Sequence, residues 1–106
     1  MDIQLRRSLL DMCALAAIKD EESYGYNIIK DLSPYIEISE STLYPILRRL
    51  ESQELLTVRT AEHNGRLRKY YKITNLGKEK LEKFKEEWKE VIVVYNLIRK
   101  GGNANE

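Results

Sequence analysis

The 106 residues contain one cysteine, one histidine, one tryptophan, one phenylalanine and two prolines, and each scarcity removes a class of function. A lone Cys13 leaves no internal disulfide. Cys13 with His63 falls short of a zinc ligand set, so metal sensing is not expected. The five glycines build no phosphate-cradling loop. His63 has no nucleophile near it, and Cys13 lies in an apolar segment that keeps its thiol neutral, so neither an enzyme nor a cofactor is expected. No uncharged apolar stretch approaches the roughly 20 residues of a membrane span, and the amino terminus shows no basic-then-apolar leader, so the expectation is a cytoplasmic protein with no membrane contact. A chain this short builds one small core, and a long helix projecting from it needs a partner to cover its apolar side.

What is present is charge, unevenly placed. The 18 basic and 17 acidic residues nearly cancel, yet Met1 to Leu43 holds four bases against eight acids, and Tyr44 to Lys72 holds seven bases against three acids. A basic middle block suits a polyanion or a solvated surface, and the charge alone does not choose between them.

Hydrophobic periodicity predicts the elements. Leu5, Leu9, Leu10, Met12, Cys13, Leu15, Ala16, Ala17 and Ile18 form a first helix that is apolar on more than one side, which suggests that one side meets a second subunit. Ser23 or a neighbour caps a short second helix holding Tyr26, Ile28, Ile29 and Leu32, which ends at Ser33 and Pro34. Ser39 offers an N-cap for a third helix with Leu43, Ile46, Leu47 and Leu50 as its buried stripe. Pro45 lies inside that helix, where the missing backbone donor should bend or loosen its first turns. Leu55 to Glu62 alternates, with Leu56, Val58 and Thr60 on one face. Arg68 to Ile73 is β-prone, and Asn64-Gly65 between the two runs is a hairpin signal. Thr74 or Asn75 caps a long last helix in which Leu81, Phe84, Trp88, Val91, Tyr95 and Ile98 form a heptad seam.

The predicted class is therefore mainly α with a small β-hairpin. A winged helix-turn-helix DNA-binding domain spans residues 1–74, a dimerisation helix 75–100 and a disordered tail 101–106. In such a fold the third helix enters the major groove and the hairpin reaches the neighbouring backbone. On helix 3, Ser39, Ser41, Thr42, Tyr44, Pro45, Arg48 and Arg49 lie off the buried stripe. Hydroxyls near a helix amino terminus can hold phosphate oxygens, and Arg48 can reach a guanine edge or a phosphate. On the wing, His63, Asn64 and Gly65 form the tip, followed by Arg66, Arg68 and Lys69, which contact phosphates or keep an exposed edge strand soluble.

Three blocks carry a family resemblance: Tyr24-Gly25-Tyr26-Asn27-Ile28, the run from Ser41 through Leu43, Tyr44-Pro45 and Arg48-Arg49 to Glu51, and the run from Gly65 through Arg66, Lys69 and Tyr70-Tyr71 to Thr74. In order and spacing they resemble the signature blocks of the PadR family, and the short carboxy-terminal region resembles the smaller subfamily with a single dimerisation helix. The resemblance implies a homodimeric repressor on an inverted-repeat operator of double-stranded DNA, with helix 1 and the last helix forming the dimer contact. Leu9, Met12, Leu81, Phe84, Trp88, Val91, Tyr95 and Ile98 are the interface residues expected from it. In multidrug-sensing relatives a tryptophan on the last helix stacks on flat aromatic ligands, and Trp88 stands in the similar place. It is equally a seam residue, with Met12 and Leu5 as the other walls of any site for an aromatic inducer. Two departures from the family stand out. Ser52-Gln53-Glu54 replaces a glycine after helix 3, where a left-handed end without glycine would cost about 1 kcal/mol, so a different termination is expected. Leu67 replaces a frequent proline, which should leave the base of the wing less rigid. Two alternatives remain: a DNA-binding regulator without a small-molecule ligand, and a winged-helix protein–protein adaptor.

Overall fold

A computed structural model describes residues 1–102. Its elements follow in the order α1 (Ile3–Ala17), α2 (Gly25–Leu32), α3 (Glu40–Ser52), β1 (Leu56–His63), β2 (Arg66–Ile73) and α4 (Asn75–Lys100). The expected tail lies outside the described residues beyond Gly102. Among the described residues no helix is long and apolar enough to cross a membrane.

Helix starts follow local chemistry. The Asp2 carboxylate accepts from the Leu5 amide at 3.1 Å and opens α1, and Thr74 Oγ1 accepts from the Gly77 amide at 3.0 Å and opens α4. Ser23 does not cap α2. The N-cap is Tyr24, without a side-chain bond, while buried Ser23 pairs its main chain with Tyr71 and accepts from Asn27 Nδ2 at 3.0 Å. Ser39 holds the N-cap position of α3, but its hydroxyl lies 2.9 Å from that of Ser41 and 3.2 Å from that of Thr42 and makes no cap bond. Pro45 does not interrupt α3, which runs unbroken from Glu40 to Ser52.

The end of α3 is left-handed after all. Glu54 has φ of 62°, its amide donates to the Glu51 carbonyl, and the Leu55 amide donates to the Leu50 carbonyl, both at 2.9 Å. These bonds form a Schellman motif with glutamate in the position that favours glycine. The chain tolerates this conformation because buried Leu55 must turn back into the core and because Thr74 Oγ1 donates to the Glu54 carbonyl at 2.7 Å. Glu54→Gly is accordingly expected to stabilise the fold by about 1 kcal/mol. That corresponds to a rise in Tm of roughly 4–8 °C, read by thermal denaturation. Glu54→Ala keeps the Cβ and should leave Tm close to that of the parent.

The two strands form an antiparallel ribbon in register from Leu56 opposite Ile73 to His63 opposite Arg66. Asn64 and Gly65 at the turn take φ of 51° and 79°, as a two-residue turn of type I′ requires. Leu67 pairs opposite Glu62, close to the tip and not at the base of the wing, and is 79% exposed.

One core joins all elements: Leu15 and Ile18 from the first helical stretch, Ile28 from α2, Leu43, Leu47 and Leu50 from α3, Leu56 and Tyr71 from the ribbon, and Leu81 from α4. The core therefore extends past residue 74 into the first turns of α4. Beyond Phe84, which still packs against the core, the helix leaves the body, and Val91, Tyr95 and Ile98 are exposed.

Candidate nucleic-acid interface

A cleft of about 760 Å³ opens between the start of α2, the outer face of α3 and the wing. Its α3 wall follows from helical spacing. With Leu43, Ile46, Leu47 and Leu50 buried, residues about 100° away around the axis must face out. Ser39, Ser41, Thr42, Pro45 and Arg48 are exposed; of these Arg48 lines the cleft, together with Glu40 and Tyr44, and the other four, on α3 and at its N-cap, lie outside it. Tyr44 is half-buried, and its hydroxyl lies 2.3 Å from where a Cβ on Gly25 would sit. Glycine at the first position of α2 thus lets the Tyr44 ring lie over that helix end, and the two walls of the cleft are fitted to each other.

Arg49 does not join this group. One residue past Arg48, it turns toward α1 and forms a half-buried ion pair with Asp11. Its charge is matched inside the domain, which removes it from the set of free cations facing outward and makes it a tie between α1 and α3.

On the wing, pairing separates two faces because side chains alternate along each strand. Leu56, Val58, Tyr71 and Ile73 lie on the face that packs on the core near the base, and Lys69 continues it toward the tip. Arg59, Tyr70, Arg68, His63 and Arg66 lie on the other face. The tip residues His63, Asn64, Gly65 and Arg66, together with Lys69, are exposed, and all of them but Gly65 line the cleft. Arg68 is half-buried, with its guanidinium 3.8 Å from the centroid of the Tyr24 ring. Arg59 is paired with Glu22 and lies 4.5 Å from the Tyr70 centroid. The hydrogen bond from Arg59, assisted by its charge and that of Lys72, holds the Glu22 carboxyl below the usual carboxylate range.

Sequence reasoning missed Tyr24 and Tyr26 as cleft residues. Both line it, and Tyr26 is exposed. A signal existed in the pair of tyrosines flanking Gly25, because aromatic rings beside a basic ribbon offer stacking and hydroxyl contacts, yet only the fold brings residues 24–26 beside residues 63–69.

A second groove, of about 530 Å³, runs between α1 and α4. Leu9, Met12, Cys13, Leu81 and Phe84 line it. Burial pushes the Cys13 thiol pKa up, so the group stays protonated at neutral pH. Of the residues proposed to surround a ligand, Met12 lines this groove, whereas Leu5 and Trp88 do not. Trp88 sits further along α4, half-buried, its ring 5.8 Å from that of Phe84 at an interplanar angle of 39°. Among the described residues no cluster of His, Cys, Asp and Glu could hold a metal ion.

Comparison with known proteins agrees with this geometry. Residues 14–83 match the transcriptional regulator PadR-like family. The chain is 32% identical to the transcriptional regulator Rv3488 of Mycobacterium tuberculosis over 79 residues, 74% of each protein. Its fold is similar to that of a PadR family transcriptional regulator from Eggerthella lenta, with a TM-score of 0.81 and 35% identity, covering 93% of this chain and 89% of the other. It is also similar to Bacillus subtilis PadR solved in complex with operator DNA, with a TM-score of 0.67 and 25% identity, over 72% of this chain and 46% of that one.

Proposed function

The chain belongs to the PadR-like family of transcriptional regulators, and from that premise we propose that it is a repressor that binds an inverted-repeat operator as a homodimer in the cytoplasm. The observation that supports this best is the convergence of Tyr44 and Arg48 of α3 with the basic wing on one cleft, in a fold similar to that of a relative crystallised on operator DNA. In this reading the exposed hydroxyls of Ser39, Ser41 and Thr42 meet phosphates at the start of α3, and Tyr44, Pro45 and Arg48 face the groove. His63, Asn64, Gly65, Arg66 and Lys69 follow the flanking backbone. The chemistry is binding, with no bond made or broken.

Salt dependence tests it. The protein is expected to retain DNA from upstream of its own coding sequence, with log affinity falling against log salt by roughly 0.9 per phosphate contacted. Lys69→Ala should weaken binding to all sequences alike and lower that slope by about one contact. Failure to retain any promoter fragment at low salt would exclude operator binding and favour a protein partner for the cleft.

Release by a flat aromatic molecule at the dimer centre is a second element of the proposal. It is favoured by the position of Trp88, which leans on Phe84 where α4 leaves the core and keeps part of its ring exposed. Because Trp88 is the single tryptophan, quenching of its fluorescence by planar cationic drugs or phenolic acids reads this site directly. An absence of quenching together with an unchanged Tm would leave Trp88 as a packing residue of the seam.

A further inference from the structure

Beside the cleft, the acidic turn after α1 and the wing are joined by a ladder of side chains that phosphate contact alone does not require. The Ser23 amide donates to the Tyr71 carbonyl at 3.0 Å and the Tyr71 amide to the Ser23 carbonyl at 2.7 Å, so Ser23 forms a single antiparallel bridge to β2, with Glu22 and Tyr24 on either side of it. Alternation then places Glu22 and Tyr24, the neighbours of Ser23, on the face that carries Arg59, Arg68 and Tyr70. The contacts follow from that placement. The Tyr24 and Tyr70 rings meet edge to face at 5.9 Å and 71°, the Arg68 guanidinium lies 3.8 Å from the Tyr24 centroid and 6.0 Å from that of Tyr70, and Arg59 reaches Tyr70 from the neighbouring strand.

The two arginines differ in what satisfies them. Arg59 donates Nε to Glu22 Oε2 at 3.0 Å and has a second bond to the same carboxylate, so its fork is occupied. Arg68 has no carboxylate partner among the described residues, and its contact with the Tyr70 hydroxyl is long, at 3.5 Å. A guanidinium carries its donors in its own plane, so a ring stacked on its face blocks none of them and suppresses the rotamers that would aim them elsewhere.

We propose that Tyr24 is a positioning residue for Arg68: its ring holds the guanidinium as a pre-oriented fork for a DNA phosphate, while Glu22 and Tyr70 keep Arg59 away from DNA and steady the ladder. This rests on the DNA-binding reading, which retention of promoter DNA by the parent protein tests separately. Arg68→Ala and Tyr24→Leu are each expected to weaken retention about tenfold and to lower the salt slope by roughly 0.9, the value of one phosphate. The double variant should lose no more than either single one, because both remove the same contact. Tyr24→Phe keeps the ring and should bind like the parent. Arg68→Lys keeps the charge without the fork and should bind nearly as weakly as Arg68→Ala, an outcome that does not depend on how well a Tyr24 variant folds.

A readout without DNA comes from NMR of the free protein, in which the Arg68 Nε–H signal should be shifted by the Tyr24 ring current. The shift should persist in Tyr24→Phe and vanish in Tyr24→Leu. The proposal is overturned if Tyr24→Phe binds as weakly as Tyr24→Leu, since the hydroxyl would then be a contact in its own right. It is equally overturned if the two single losses multiply in the double variant, if Arg68→Lys restores parental affinity, or if the Arg68 signal ignores the loss of the ring.

Discussion

Replacing the buried Gly77 with alanine should strongly destabilise this protein. A Cβ at that position would lie 2.2 Å from the Leu55 carbonyl oxygen and 2.7 Å from Ile73 Cγ1. The carbonyl cannot yield cheaply, because it accepts from the Thr74 amide at 3.1 Å, while Thr74 Oγ1 both donates to the Glu54 carbonyl and accepts from the Gly77 amide. The left-handed end of α3, the entry to β1 and the first turn of α4 therefore share one junction, and room for a methyl group requires separating all three. Overpacking of this kind costs about 2–4 kcal/mol, a large share of the roughly 5–15 kcal/mol that holds a domain together. The expected fall in Tm is roughly 10–25 °C. A Gly77→Ala protein melting within a few degrees of the parent would show that α4 can shift off Leu55 without loss, and the junction would not be the constraint described.

Loss of the apolar seam on the free half of α4 is the second large expected effect. The helix is about 39 Å long, and only its first turns are covered by the rest of the chain, where Gly77 and Leu81 are buried. Val91 is 42% and Ile98 73% exposed, on the same seam as Tyr95. In the proposed dimer a second copy covers this stretch, so Val91→Glu with Ile98→Glu would place two carboxylates in an apolar contact. The double variant is expected to sediment as a monomer at micromolar concentration. The Tm of the parent is expected to rise with protein concentration, and that of the double variant to be independent of it. Operator affinity should fall by a factor on the order of 10²–10⁴, because two half-sites are no longer engaged by one linked molecule. A variant that remains dimeric would place the subunit contact elsewhere.

These two sites also show how legibility varied along the chain. The heptad spacing of Leu81, Phe84, Trp88, Val91, Tyr95 and Ile98 reads as one continuous seam, but its residues have different neighbours. Leu81 belongs to the domain core, Phe84 packs against that core, Trp88 leans on Phe84, and the last three project. Periodicity shows which side of a helix is apolar and is silent on what covers each turn. Arg48 and Arg49 illustrate the same limit. Adjacent in sequence and identical in type, they sit about 100° apart around α3, so one faces the cleft and the other is bound to Asp11, 38 residues away.

Local rules governed the elements, and those rules operate over a few residues. The buried stripe of α3, the Asn64-Gly65 turn, the Thr74 cap and the alternation of β1 all follow from short-range geometry and were readable without coordinates. So was the basic character of the middle block, which with the three signature runs pointed to DNA from the outset. Tertiary structure alone decided which cations remain available to it. Ser23 pairs with Tyr71 across 48 residues of chain and brings Glu22 and Tyr24 beside the wing, so that Arg59 is neutralised, Arg68 is stacked, and Lys69 and Arg66 stay exposed. A side chain's charge is a property of its residue type, whereas its freedom to meet a phosphate depends on neighbours that only the folded chain supplies.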